Sequence, residues 1–215
     1  MKKILLTRHA KSCWLDNTLS DHDRPLNNRG VKSAAVFSKV MSKEFAKVEA
    51  VYVSSAKRAQ QTALGLKLER QRTFIEPSLY TFNVSDLSAF ISSLYTDAQY
   101  IQLIGHNPAF TDFVNAFSMV TLDNIPTCGM VVLQWDDAKT WQDLFNSKAR
   151  LLLFDAPKRR EYIDKNIDTA HERVYNMAGS ELWESISLLQ QMDLLISPDS
   201  YSKYIALCSR VPAIL

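Results

Sequence analysis

Short apolar runs that alternate with helical spacing constrain this chain more than any other feature. Residues 4–7, 50–53, 73–75 and 100–104 read as strands. Between them Val31, Ala34, Ala35, Val40, Met41 and Phe45 recur at helical intervals, residues 56–68 form a second helical stretch, and Leu87, Phe90, Ile91 and Leu94 form the apolar face of a third, with Ser85 as its cap. Asn107 and Pro108 read as N-cap and first residue of a helix running to about residue 117. Strands alternating with helices predict an α/β fold: a three-layer α/β/α sandwich on a mostly parallel sheet. Residues 130–135 and 150–154 are β-rich and predict antiparallel additions at one sheet edge.

After Pro157 the pattern changes. Ile163, Ile167, Ala170, Val174 and Met177 recur every three or four residues, followed by Leu182, Ile186, Leu189 and Met192. Two domains are therefore expected, residues 1–157 and a helical C-terminal extension over 158–215. The helical stripe is a candidate face for a homodimer.

Composition removes several function classes. Hydrophobic residues make up 47% of the 215 and the net charge is +2, which suits a globular protein and gives no basic stripe for nucleic acid. No run approaches the roughly 20 apolar residues of a membrane span. The apolar run after Lys2 and Lys3 is too short for a signal peptide, so a cytoplasmic location is expected. Five glycines, Gly30, Gly65, Gly105, Gly129 and Gly179, cannot build a dinucleotide or P-loop motif. Cys13, Cys128 and Cys208 lack metal-ligand spacing. Six residues beyond them stand Leu19, Gln134 and Ile214, where a cysteine-based phosphatase needs Arg. No metal or other cofactor is expected.

A basic constellation remains. Arg8 and His9 follow the first strand, Arg58 opens the helix after the second, and His106 follows the strand ending at Ile104. The carboxyl ends of strands in an open α/β sheet line one crevice, so these four side chains converge. Two arginines suit bidentate contact with a dianion, and nearby helix N-termini add to the positive field. A neutral imidazole held at one nitrogen can attack phosphorus with the other. That predicts metal-independent phosphoryl transfer through His9, with Arg8, Arg58 and His106 stabilising the equatorial oxygens. Lys11 and Ser12 are further candidates for phosphate contact. Asp21 and Asp23 read as loop carboxylates, candidates to pair with Arg24 or to supply a proton. Tyr80 reads as packing, His22 as a surface residue, and Trp14 as either rim or packing.

Four blocks carry a family resemblance. Thr7-Arg8-His9-Ala10 resembles the Arg-His-Gly signature of the histidine phosphatase superfamily, with Ala in the Gly position. Ser54-Ser55-Ala56-Lys57-Arg58-Ala59-Gln60-Gln61-Thr62-Ala63 resembles its second block, and Gly105-His106-Asn107-Pro108 the block of its second His. The stretch from Asp21 through Arg24-Pro25-Leu26 to Gly30 is similar to the SixA-type branch, the phosphohistidine phosphatases. The resemblance covers about residues 1–157. It implies a phosphoglycerate mutase-like fold, His9 as nucleophile, Arg8, Arg58 and His106 around the phosphate, and Arg24 in support.

Other members of the superfamily carry a carboxylic acid where this chain has Tyr80, and Asn107 follows His106. Without a strong proton donor an alkoxide leaves slowly, whereas a phosphoramidate nitrogen is readily protonated. The expected substrate is therefore a phosphohistidine protein or another labile phosphoryl group. The alternatives are a non-catalytic phosphate-binding or scaffolding module, and a mutase-like enzyme or phosphomonoesterase acting on a small phosphorylated substrate.

Overall fold

Alternate residues of the first strand feed two different cores. In the computed structural model, β1 (Lys2–Arg8) sends Ile4 and Leu6 to one face of a sheet and Leu5 to the other. The structure describes residues 1–157 and, beyond them, only a short parallel pair, Leu195–Ile196 with Ala213–Ile214. The chain divides after Pro157. The expected helices of residues 158–215 and the homodimer face lie outside the described residues.

The other strands are β2 (Ala50–Ser54), β3 (Thr73–Glu76), β4 (Tyr100–Gly105), β5 (Met130–Trp135) and β6 (Arg150–Asp155). Their order is β3-β2-β4-β1-β5-β6. The first four are parallel, while β5 and β6 join antiparallel at the edge beyond β1. The helices are α1 (Asn28–Val40), α2 (Ser42–Phe45), α3 (Lys57–Gly65), α4 (Val84–Ser92) and α5 (Ala109–Phe117).

Helices cover both faces, giving the expected three layers. Ala34 and Phe37 of α1, Phe45 of α2 and Ala59 and Ala63 of α3 pack with Leu5, Val51, Val53 and Val132. On the opposite face Leu87, Phe90 and Ile91 of α4 and Phe110, Phe113 and Val114 of α5 pack with Ile4, Leu6, Leu103 and Val131. Every residue of β4 and β5 is buried, as a strand covered on both faces requires.

Three local expectations change. Asn83, not Ser85, caps α4, its side chain accepting from the Ser85 N–H at 2.9 Å. Val31 and Val40 lie on the exposed side of α1, because the helix turns its Ala34–Phe37 face to the sheet and ends before Met41. Asn107 does not cap α5. The cap position falls on Pro108, and the Asn107 amide turns to Thr111 Oγ1 at 2.7 Å and to the loop at Asn124 and Ile125.

Gly30 positions the chain beyond β1. A Cβ there would lie 2.3 Å from the Lys11 carbonyl oxygen, so only glycine lets α1 begin against that backbone. Asn27 caps α1 through the Gly30 N–H at 2.9 Å and donates its own N–H to Lys11 O. The segment after His9 is thereby tied to the start of α1.

Candidate active site

Parallel register brings the two histidines together. β1 and β4 pair with Arg8 opposite Gly105, so the next residues, His9 and His106, leave adjacent strand ends side by side. The His9 N–H donates to Gly105 O at 3.0 Å. Their rings stand 5.0 Å apart, centroid to centroid, and both are buried.

The tautomer of His9 follows from its partners. Nδ1 donates to Ala10 O at 2.7 Å. Nε2 therefore carries the lone pair, and it accepts from Arg58 Nε at 3.2 Å. Burial pulls the imidazole down to about 4, only partly offset by the Ala10 carbonyl, and Arg58 and Arg8 lower it further. His9 is neutral at pH 7 with a nucleophilic nitrogen facing the cluster.

His106 is the mirror case. Arginine has no acceptor, so Arg58 Nη2, 3.3 Å away, must donate to His106 Nδ1. Nε2–H then donates to Ser54 Oγ at 2.8 Å. Burial, followed by His9 and Arg58, holds this imidazole far below its ordinary value. Both histidines are thus neutral, as an attacking imidazole requires, and the positive charge of the cluster comes from Arg8 and Arg58.

Arg58 lies in the first turn of α3, almost wholly buried. A cation there opposes the helix dipole, and an anion beside it offsets that cost. The structure supplies an internal one. Asp21 Oδ2 accepts from Arg58 Nη2 at 2.8 Å, and Asp21 O accepts from Nη1. Burial raises the Asp21 carboxyl, but hydrogen bonds from Arg58 and Tyr80 outweigh it and hold the group below the usual carboxylate range. Tyr80 OH donates to Asp21 Oδ2 at 2.9 Å, so Tyr80 is more than packing. The expected pairing of Asp21 or Asp23 with Arg24 is not what forms: Asp23 turns to Ser20 and His22.

Thr62 joins Ala10, the residue after His9, to the helix. Its hydroxyl accepts from the Ala10 N–H at 2.9 Å and donates to Arg58 O at 2.7 Å. Arg8 Nη1 donates to Ile125 O at 2.6 Å and Asn124 Oδ1 at 3.1 Å, while its buried Nε has no protein partner. Arg8 is close enough to depress His9.

The outer candidates sit apart. Among the described residues, Arg24 stacks on Trp14 at 4.2 Å and reaches Asp16 O at 3.4 Å, not His9, Arg58 or His106. Ser12 Oγ accepts from Trp14 Nε1 at 3.0 Å, and the Lys11 side chain is exposed. His22 is half-buried, its Nε2 2.9 Å from Ser55 Oγ and its ring edge-on to Tyr80. Sequence reading missed Ser54, Thr62 and the arm Asn124–Ile125. Ser54 and Thr62 stand inside the second block, and their polarity on otherwise buried elements was the available signal. Burial pushes the Cys128 thiol up to about 12, the opposite of a nucleophilic cysteine. No group of three or more His, Cys, Asp or Glu that could hold a metal is found among the described residues. No helix among them is long and apolar enough to cross a membrane.

Comparison with known proteins agrees with this geometry. The model of the histidine phosphatase superfamily (branch 1) matches residues 4–85. An uncharacterized chloroplastic protein of Arabidopsis thaliana is 29% identical over 157 residues, covering 67% of this chain and 71% of the relative. Among solved structures, a protein assigned as the phosphohistidine phosphatase SixA of Nakamurella multipartitia aligns with a TM-score of 0.62 at 23% identity, covering 73% of this chain and 96% of its own. The protein histidine phosphatase SixA complexed with tungstate aligns at 0.61 with 20% identity over 74% and 99%. Phosphatases of other substrates share the fold as well.

Proposed function

We propose that this chain, whose residues 4–85 match the model of the histidine phosphatase superfamily (branch 1), is a phosphatase of that superfamily acting through a phosphohistidine formed on His9, with phosphohistidine protein or another labile phosphoryl group as substrate. The observation that carries this reading is the His9 imidazole. It is neutral, fixed at Nδ1 by Ala10 O, and presents Nε2 between Arg58 and His106.

In the first step the Nε2 lone pair attacks phosphorus in line. The bond from phosphorus to the leaving group breaks, and that group departs with the electron pair and a proton taken from solvent. Arg58, Arg8 and a hydrogen on His106 meet the charge on the equatorial oxygens. For His106 to donate from Nδ1, its proton must move off Nε2, and the Ser54 hydroxyl can support either tautomer because it both donates and accepts. In the second step water adds to phosphorus, the bond to Nε2 breaks, and phosphate leaves with His9 neutral again. The charge in this scheme is supplied by arginine, so turnover survives chelators.

Substrate choice rests on the missing acid. The Tyr80 hydroxyl donates a hydrogen bond to Asp21, and Asp21 is held ionised. Neither is placed to protonate a poor leaving group, which favours P–N over alkyl P–O bonds. Arg24, Lys11 and Ser12 belong to this reading as outer contacts for the body of the substrate. A cytoplasmic location belongs to it too, supported by the free thiols of Cys13 and Cys128.

The test is a substrate panel of phosphohistidine protein, phosphoramidate and sugar phosphates on wild type and His9→Ala. Turnover of the P–N substrates should fall by about a thousandfold or more in the variant. Unchanged turnover would end the reading. Binding without release of phosphate would point to a scaffolding module, and equal rates on sugar phosphates to a phosphomonoesterase.

A further inference from the structure

Arg58 has two edges, and they face different things. The inner edge, Nε and Nη2, points at His9 Nε2 and His106 Nδ1, at 3.2 and 3.3 Å. The outer edge, Nη1 and Nη2, is held by the backbone oxygen and the carboxylate of Asp21. A phosphoryl group attached to His9 Nε2 must come to the inner edge, since the nucleophilic nitrogen lies there. The two inner N–H groups would then leave the histidines for two phosphoryl oxygens, the bidentate geometry that a guanidinium fork provides. Nothing in that exchange requires the outer edge to let go.

Asp21 is itself fixed from a third side. Tyr80 OH donates to the same Oδ2 that receives Arg58, and the Tyr80 ring lies 5.9 Å from the guanidinium carbon and edge-on to His106 at 5.3 Å. Tyr80 follows the short helix Pro77–Leu79 at the end of β3, whereas Asp21 lies in the loop between β1 and α1. The clamp therefore ties two loops to the phosphate-binding arginine.

We propose that Asp21, held by Tyr80, is a positioning residue that grips the outer edge of Arg58 and so aims its inner edge at the phosphoryl group. This rests on the phosphatase reading above. It assigns the carboxylate a role other than proton donor, and it gives Tyr80 a function at the position where the superfamily's acid stands elsewhere. Positioning and acid catalysis make opposite predictions about the leaving group. A positioning residue acts on the phosphoryl group, which is common to all substrates, so its loss costs every substrate the same factor. A general acid matters more as the leaving group becomes poorer.

The experiment compares wild type, Asp21→Ala, Asp21→Asn and Tyr80→Phe on phosphoramidate, p-nitrophenyl phosphate and phenyl phosphate, with vanadate affinity as a readout independent of turnover. Thermal unfolding checks that each variant is folded. Asp21→Ala should lower kcat/KM by about ten- to a hundredfold, equally for the two aryl esters, and weaken vanadate by a similar factor. Asp21→Asn retains an acceptor for Arg58 and should recover most of that loss, and Tyr80→Phe should cost about three- to tenfold. Vanadate binding that is unchanged in folded Asp21→Ala overturns the proposal. So does a loss in Asp21→Asn that equals that of Asp21→Ala and grows from p-nitrophenyl to phenyl phosphate. If wild type turns over none of the three substrates, the phosphatase reading fails, while the vanadate series still reports whether Asp21 aims Arg58.

Discussion

The inner and outer parts of the site are built differently. Inside, His9, His106, Arg58 and Ser54 are buried and each hydrogen bond fixes the next: Ala10 O sets His9, Arg58 sets His106, and Ser54 receives the proton left over. Outside, Lys11 and Trp14 are exposed, and Arg24 meets Trp14 and Asp16 on a loop that holds itself together. Buried polar groups are costly to leave unpaired and cheap to keep once fully paired, so the inner network specifies one arrangement. Exposed pairs contribute little and adapt to what arrives. The difference teaches that the two parts are set by different means, the inner one by strand ends and the outer one by a loop.

Substitutions should divide along the same line. Arg58→Lys keeps the charge but cannot reach His9, His106 and Asp21 together. It should lower kcat/KM for phosphoramidate by about a hundredfold, and a loss under threefold would show that charge alone suffices. Ser54→Ala leaves His106 Nε2 without its partner and should cost about tenfold in kcat. Imidazole NMR of His106 should at the same time show a mixture of tautomers in place of one. Arg24→Ala should alter phosphoramidate turnover by no more than about threefold while raising KM for a phosphoprotein. A large loss on the small substrate would move Arg24 into the inner network.

The smallest effect should be that of acid. His9 has its folded value lowered from 6.5 to about 4, so it stays neutral between pH 7 and pH 5. After allowance for ionisation of the substrate, kcat/KM should hold level over that range and fall only towards pH 4. An acid limb centred near 6.5 would contradict the burial seen here. The stability consequence has a definite sign. The unfolded chain takes up the proton first, so the contribution of neutral His9 is full above about pH 6.5 and is lost as pH falls towards 4.

Much of the inner site is legible in the sequence. His9 and His106 each stand just past the end of an apolar run, and Arg58 comes in the first turn of a helix after another. Strand ends in a parallel sheet meet at one edge, so sequential position translated into spatial position. The clamp on Arg58 was not legible. Asp21 reaches it from a loop without periodicity, and Tyr80 from the end of an edge strand, so neither spacing nor propensity joins them. Asn107 misled for a related reason: Asn before Pro at a helix start is a cap pattern, but here the loop at Asn124–Ile125 offers its amide better acceptors. In the fold, β5 and β6 were readable as late additions because no helical spacing separates them, whereas the exposed side of α1 was misread because Val31 and Val40 look apolar without being inward.

The register of β1 against β4 has one more consequence. His9 and His106 are successive neighbours across two parallel strands, so the gap between the rings, 5.0 Å, reproduces the repeat distance of a β-sheet, about 4.8 Å. The active site uses the sheet as a ruler. That length is set by backbone hydrogen bonds in the interior and does not depend on any loop. Loops that do not touch Arg58 can therefore vary without changing the spacing of the two rings.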